Sequence, residues 1–493
     1  MKRKYWIGTL CIVAVGAVAG LDSGGNARSI PLATSISAND KAQGAKAHPE
    51  LLNEFGGAYS GPQSAYVTGI GRKIAVQSSL SNAQSDFTIT LLNSSVNNAF
   101  AIPGGYVYIT RQLMALCNDE AEMAGVLGHE VGHVAAMHSQ RRQKAASRNA
   151  IGGALLQVLT GAVLGDSAIG GLLQKGIGSG AQLLTLKFSR SQEYEADDLG
   201  IRYLASAGYD PKALSGMLAS LAAQSALDAR LMGQGGNGNV PEWASTHPDP
   251  ASRVTRALNG AKQTRSTNSL RNRDAFLNAL NGVTYGDDPK QGIITGNRFV
   301  HPDLRLGFTA PNGYAMLNGS DAVTISGSGG KGQFSSAAYS GDLGAYVTGI
   351  FRALSQNSAP SADIIRRTSV NGLTAAYATM RANSQSGQVD VTVFAYDMGA
   401  GKAYHFLLIT PAGQGIGPFS AMVQSMRRID AQEAAAVKPR KVAVVTVKAG
   451  DTIDSLAARM AYDEYRKERF LTLNALTASS ALRAGERVKI ISY

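Results

Sequence analysis

The stretch Leu127-Gly128-His129-Glu130-Val131-Gly132-His133 constrains this chain more than any other. It places two histidines four apart with a glutamate between them. On a helix, residues four apart stack one turn above each other, so His129 and His133 point the same way and can grip one metal ion with two imidazoles. Glu130, turned by ~100° about the axis, lies beside such an ion rather than on it, where a general base for a water belongs. The flanks predict that helix. Asn118 and Asp119 can cap its start, Asp119, Glu120 and Glu122 suit its positive end, and Met123, Leu127, Val131 and Val134 form an apolar stripe. H-E-x-x-H also arises by chance on buried helices. Gly125, Gly128 and Gly132 argue against chance: each costs a helix interior about 1 kcal/mol relative to alanine, and the three share one side, as they do where a second backbone comes close. His138 falls nearly opposite the histidine pair if the helix continues, so it is expected to stay off the metal. The eleven-residue metzincin pattern needs histidine at position 139, which holds Ser139.

A third protein ligand must come from elsewhere. Ser189-Arg-Ser-Gln-Glu193-Tyr-Glu195-Ala-Asp197-Asp198 opens a second helix, with Glu193 and Asp197 four apart on one face. Glu193 suits the metal, and Asp197 suits an N–H of a ligand histidine. A solvated acidic helix face has the same spacing. A third constellation, Ser245-Thr-His247-Pro-Asp-Pro-Ala-Ser-Arg253, puts a histidine in a Pro-rich turn six residues before an arginine. Both side chains can reach a developing oxyanion, and an exposed histidine at a helix start reads the same way.

Taken in order, H-E-V-G-H, S-R-S-Q-E-Y-E-A-D-D-L-G and S-T-H-P-D-P-x-x-R resemble the gluzincin family that holds the CAAX prenyl protease, HtpX and the periplasmic protease BepA. Asn98-Ala-Phe-Ala-Ile-Pro-Gly-Gly resembles that family's segment upstream of the zinc helix. The resemblance covers roughly residues 49–260. It implies that His129, His133 and Glu193 bind one zinc ion per chain, with Glu130 as the base and Asp197 supporting a ligand. It further implies that His247 and Arg253 contact the tetrahedral intermediate. In some relatives the histidine matching His247 instead caps the zinc and holds the enzyme latent. The chain lacks both the multiple membrane spans of the first two branches and the tetratricopeptide repeats of the third, so the soluble envelope branch is the nearest.

The N-terminus supports an envelope address. Lys2, Arg3 and Lys4 precede an apolar run from Tyr5 to Val18, and Ala17-Val18-Ala19 reads as a cleavage site, so residues 1–19 are expected to be a signal peptide for export to the periplasm. Cys117 is then the single cysteine outside that segment, which excludes an intrachain disulfide. The formal charge of +12 is spread along the chain. It suits an anionic envelope surface, and no motif for nucleic acid accompanies it.

The expected fold class is α+β. Residues 20–48, rich in Ser, Gly, Ala and Asn, read as a linker. Residues 49–265 read as a mainly helical zinc-protease domain with a small sheet, in which Phe87–Leu92 is one strand and Ala99–Thr110 a turn into another. A strand beside a zinc site can take a substrate as an added strand. The glycine-rich, apolar stretch 151–188 joins the zinc helix to the ligand helix. It is expected to act as a cover over the cleft, with contact to a membrane surface as the other use of its apolar side chains. Residues 266–290 read as a linker. Residues 291–430 read as a mixed α/β accessory domain, a small antiparallel sheet with a helix on one face and no catalytic constellation. Residues 431–445 read as a third linker. Residues 446–493 resemble a LysM module, a βααβ fold that binds the N-acetylglucosamine of peptidoglycan.

The expectation is a zinc-dependent metalloendopeptidase of the bacterial cell envelope. It would hydrolyse unfolded or misassembled envelope polypeptides in quality control, with retention on peptidoglycan or at the outer membrane through 446–493. Two rivals stay open: a peptidoglycan hydrolase, and a peptidoglycan-associated chaperone or assembly factor whose zinc site is latent.

Overall fold

The computed structural model describes residues 34–80, 82–142, 188–231, 247, 250–319, 322–354, 360, 363–384 and 387–493. The signal segment and the expected cover up to residue 187 lie outside the described residues.

Of the stretch read as a linker up to residue 48, residues 38–48 are already helical. Ser37 caps α1 (Ala38–Glu54), its Oγ accepting from the Asp40 N–H at 3.1 Å. Alanines and lysines carry the helix on, and Ala47 and Leu51 bury against Phe100 and Tyr108. Gly44 is needed there, because a Cβ would collide with the Pro103 carbonyl. After α2 (Pro62–Ala75) come β1 (Thr88–Leu92), β2 (Ala99–Ile102) and β3 (Tyr106–Thr110). They form a sheet in the order β1-β3-β2, with β1 parallel and β2 antiparallel to β3, so β2 is an edge strand. The β2–β3 turn uses Gly104 at φ +95° and Gly105 at φ +83°.

α3 (Arg111–Leu116) leads into the histidine helix α4 (Glu120–Ala135), which Asp119 caps by accepting from the Glu122 N–H at 2.9 Å. The expected apolar stripe understates this helix. Every residue from Glu120 to His133 is buried, because α4 lies among α2, β2, α5 (Arg190–Ser206) and α6 (Ala213–Leu231). Its N-terminal carboxylates are matched: Glu120 accepts from Tyr66, Tyr209 and Asn272, and Arg271 meets Asp119 at 2.6 Å. α7 (Pro250–Gln263) packs on α5 and α6. No helix among the described residues is long and apolar enough to cross a membrane.

Residues 266–290 are not a bare linker. They hold α8 (Arg273–Leu280), whose Phe276, Leu277 and Leu280 are fully buried, and β4 (Thr284–Tyr285). The polar Asn and Arg residues around these three positions hide the apolar face from composition.

The accessory region is larger than a small sheet with one helix. β5 (Ile293–Thr295), β6 (Arg298–His301) and β7 (Leu306–Thr309) form a four-stranded sheet with β15 (Arg427–Arg428). The second sheet has seven strands: β8 (Ala315–Asn318), β9 (Val323–Gly327), β10 (Gly330–Ser336), β11 (Arg366–Val370), β12 (Leu373–Ser384), β13 (Gly387–Gly399) and β14 (Lys402–Pro411). Their order is β11-β12-β13-β14-β10-β9-β8. α9 (Leu343–Leu354) buries Leu343, Tyr346, Val347 and Phe351 on one face of that sheet. The other face packs Phe334, Phe394 and Phe406 with Phe299 and Phe308 of the smaller sheet and Met422 and Val423 of α10 (Ser420–Ser425). Both faces are covered, which alternation in single strands does not reveal.

The third expected linker holds α11 (Ala431–Ala436) and most of β16 (Arg440–Thr446). With α12 (Ile453–Ala457), α13 (Arg466–Leu473) and β17 (Arg487–Ser492), β16 gives the expected βααβ order. This tail is no free appendage. β4 adds to β16 in a β17-β16-β4 sheet, and Val442, Leu456, Phe470, Val488 and Ile490 share one core with Leu113, Met123 and Leu127. Fully buried Lys489 donates to the carbonyls of Ala115 at 2.9 Å and Cys117 at 2.6 Å, closing the C-terminal end of α3.

Deleting residues 446–493 is therefore expected to unfold the helical body around α4 rather than leave it intact. Loss of a cooperative thermal transition in the truncated chain checks this. In the accessory region, burial holds His405 down to about 4, so the ring is neutral when folded and protonated below pH ~6.5 when unfolded. Stability is then expected to fall by about 2–3 kcal/mol between pH 7 and 4.5 through this one group. Urea midpoints of the parent and of His405→Phe at the two pH values measure the difference.

Candidate metal centre

Small residues bring the two site helices together. A Cβ at Gly200 would stand 3.0 Å from the His129 backbone nitrogen, and one at Gly132 would stand 3.1 Å from Leu199 Cβ. Gly128 faces Gly200, whereas Gly125 faces Leu214 of α6. At such separation Glu193, on the first turn of α5, reaches the histidines of α4. Ser189 fixes that turn with a capping box, its Oγ accepting from the Gln192 N–H.

His129 Nε2 and His133 Nε2 lie 3.0 Å apart. Glu193 oxygens lie 3.5 Å from the first and 3.6 Å from the second. His247 Nδ1 stands 3.3 Å from His129 Nε2 and 3.1 Å from Glu193 Oε1. These four buried donors lie within 4.8 Å of one another. A tetrahedron with metal–ligand bonds of ~2.0–2.1 Å has edges of about 3.3 Å, so the donor set fits zinc in size and chemistry. Charge agrees. Glu130, Glu193 and Asp197 bring three buried carboxylates, and Arg253 is the buried guanidinium among them, which leaves a deficit that a divalent cation closes.

His129 turns its other nitrogen to Asp197, with Nδ1 2.9 Å from Oδ1, as expected. Burial alone lowers the His129 pKa, but its bonds to Asp197 and Glu193 overcome that and raise it to about 9. The carboxylates thus demand positive charge at this point. Glu193 is held well below the usual carboxylate range by His247 and His129 against the opposing effect of burial.

Arg253 departs from the expected contact with an oxyanion. It is 1% exposed, and its guanidinium is committed to carboxylates: Nη1 donates to Glu193 Oε2 at 2.6 Å, while Nε and Nη2 donate to Asp197 at 2.9 and 2.6 Å. It acts as a clamp on both acids. His247 likewise sits within the donor set, with its Nε2 3.6 Å from Glu130 Oε1. Glu130 is fully buried and, among the described residues, neither of its oxygens accepts a hydrogen bond, while burial raises its pKa.

Sequence reading missed two residues. α4 stops at Ala135, and Met137 takes a left-handed φ of +52°, which swings His138 back onto the histidine pair. His138 does not join the donor set. Its Nδ1 lies 2.7 Å from His133 Nδ1, and its Nε2 lies 3.1 Å from Glu195 Oε2. Arg141 donates to the same Glu195 oxygen at 2.8 Å. No glycine or proline announces this turn, so sequence offers no signal for it. Phe188 stacks on His133 with centroids 4.0 Å apart.

Two imidazoles from one helix, a carboxylate from the next and a buried glutamate beside them make up the candidate metal centre. Residues 62–261, which hold all of these groups, match Peptidase family M48. The chain is 31% identical to the beta-barrel assembly-enhancing protease of Yersinia pestis across 204 residues, 40% of this chain and 39% of that one. It is 29% identical to the protein of the same name in Escherichia coli (strain K12) across 218 residues, 43% of this chain and 42% of that one. It is 27% identical to the mitochondrial metalloendopeptidase OMA1 of Schizosaccharomyces pombe across 219 residues, 44% of this chain and 59% of that one. The chain spans about two-fifths of the length of these bacterial relatives.

Gly200→Ala is expected to force α4 and α5 apart, costing about 1–3 kcal/mol and weakening zinc retention. Gly69→Ala, in α2 with open space around its Cβ, is expected to leave zinc retention unchanged and to raise stability by up to about 1 kcal/mol. Urea unfolding and zinc content after dialysis report both.

Proposed function

We propose that the chain is a zinc-dependent metalloendopeptidase of the bacterial envelope acting on unfolded or misassembled envelope polypeptides. The observation that carries this reading is Glu130, a carboxylate buried beside a metal-sized donor set with no hydrogen bond among the described residues. Such a group is costly to bury, and a base awaiting a water accounts for it. His129, His133 and Glu193 would hold one zinc ion, which when bound supplies Lewis acidity for attack on a carbonyl. Glu130 takes the proton of the attacking water and later delivers it to the leaving amine. Asp197 orients His129, and Arg253 fixes Asp197 and Glu193.

The edge strand β2 offers backbone groups to an extended substrate. The cleft lined by Ile102, Pro103, His133 and Met137 lies along its end. In the conformation described, His247 stands at the fourth corner of the donor set, so substrate needs the His247 turn to withdraw. The envelope assignment rests on the signal-like N-terminus and on the names of the bacterial relatives.

Glu130→Gln is expected to cut hydrolysis of an unfolded polypeptide by about 10²–10⁴-fold while zinc stays bound. The assay is run beside purified peptidoglycan, with and without chelator. Substantial turnover by the variant, or cleavage of peptidoglycan in place of polypeptide, would sink the reading.

A further inference from the structure

The two ligand histidines are supported differently. His129 meets the Asp197 carboxylate directly, whereas His133 meets another histidine. A ring that gives Nε2 to a metal carries its proton on Nδ1. His133 Nδ1–H must therefore donate to His138 Nδ1 at 2.7 Å. That nitrogen is then an acceptor, so the His138 proton sits on Nε2 and points at Glu195 Oε2, 3.1 Å away. Arg141 donates to that same Glu195 oxygen at 2.8 Å. One hydrogen-bond direction satisfies every member of the row.

We infer that His138 and Glu195 are positioning residues for the metal centre, a relay that fixes the tautomer and ring plane of His133 as Asp197 fixes those of His129. This rests on reading His129, His133 and Glu193 as ligands of one zinc ion. Three features support it. His138 is fully buried, so it spends no hydrogen bond on water. The left-handed φ of +52° at Met137, which non-glycine residues adopt at a cost, is what delivers the ring to His133. Phe188 lies against the face of His133, so the ring is restrained in its plane by stacking and at its edge by His138. Glu195 lies two residues after the ligand Glu193, so α5 turns one carboxylate to the metal and a second to the outer support of the same site.

The test uses the full-length chain stripped of metal and measures zinc affinity by competition with a chromophoric chelator. His138→Phe keeps the ring's bulk and leaves His133 Nδ1–H without an acceptor. It is expected to weaken zinc binding about 10–100-fold, with the metal-free melting temperature unchanged and the gain in melting temperature on adding zinc reduced. At saturating zinc, kcat should fall with KM unchanged. His138→Gln, whose Oε1 can accept from His133, is expected to recover most of the affinity. Glu195→Ala should weaken it, and Glu195→Gln should retain it. Parent-like zinc affinity in both His138→Phe and Glu195→Ala overturns the relay. If His138→Phe fails to fold, the contrast between Glu195→Ala and Glu195→Gln decides: loss in the first alone supports the relay, and equal affinity overturns it. His133→Ala in the same assay guards the underlying reading, because unaltered affinity there means the ligand assignment itself is wrong.

Discussion

The contact on which the site depends is one of backbone against backbone. α4 and α5 approach so closely at Gly128, Gly132, Ala196 and Gly200 that even a methyl group on Gly200 meets the His129 nitrogen. That proximity lets a carboxylate on the first turn of α5 stand among imidazoles on α4. Longer side chains along the seam would separate the helices by more than the span of a tetrahedral ion. The glycines lower the intrinsic stability of α4, and the surrounding helices and sheet restore it by burying that helix on all sides.

Close approach creates an electrostatic problem, since it gathers three carboxylates where water is excluded. Arg253 offsets part of it with three short donations, each to an acid that is itself near a metal ligand or is one. Geometry thus gives the arginine a different task from the one its distance along the chain suggests. His129 and Arg253 share Asp197, so any movement of α7 would be felt at the ligands.

Much of the centre was legible in the sequence, because its chemistry follows helical spacing. The pair His129 and His133, Glu130 between them, Glu193 with Asp197 four residues on, and the close approach at the glycines all depend on local periodicity. His138 was not legible, since its position depends on where α4 ends and Met137 carries no mark of a helix stop. Composition misled at the segments taken for linkers. In 266–290 three apolar residues on one face of α8 are diluted by Asn and Arg, and in 431–445 β16 is short and its partners lie far away in sequence. Burial against distant elements is a tertiary property, and no local window contains it.

The tail's place in the core also fixes an order of events. Lys489 reaches the Cys117 carbonyl across 372 positions of sequence, and Val488 and Ile490 complete a core that α4 begins. A chain emerging from a ribosome or a translocation channel, N-terminus first, presents its metal helix long before the strand that shuts the body around it. The helical body thus cannot finish folding until residues 487–492 have emerged. Its maturation waits on that late strand, and chains that have emerged only in part carry the site without the scaffold that holds it in shape.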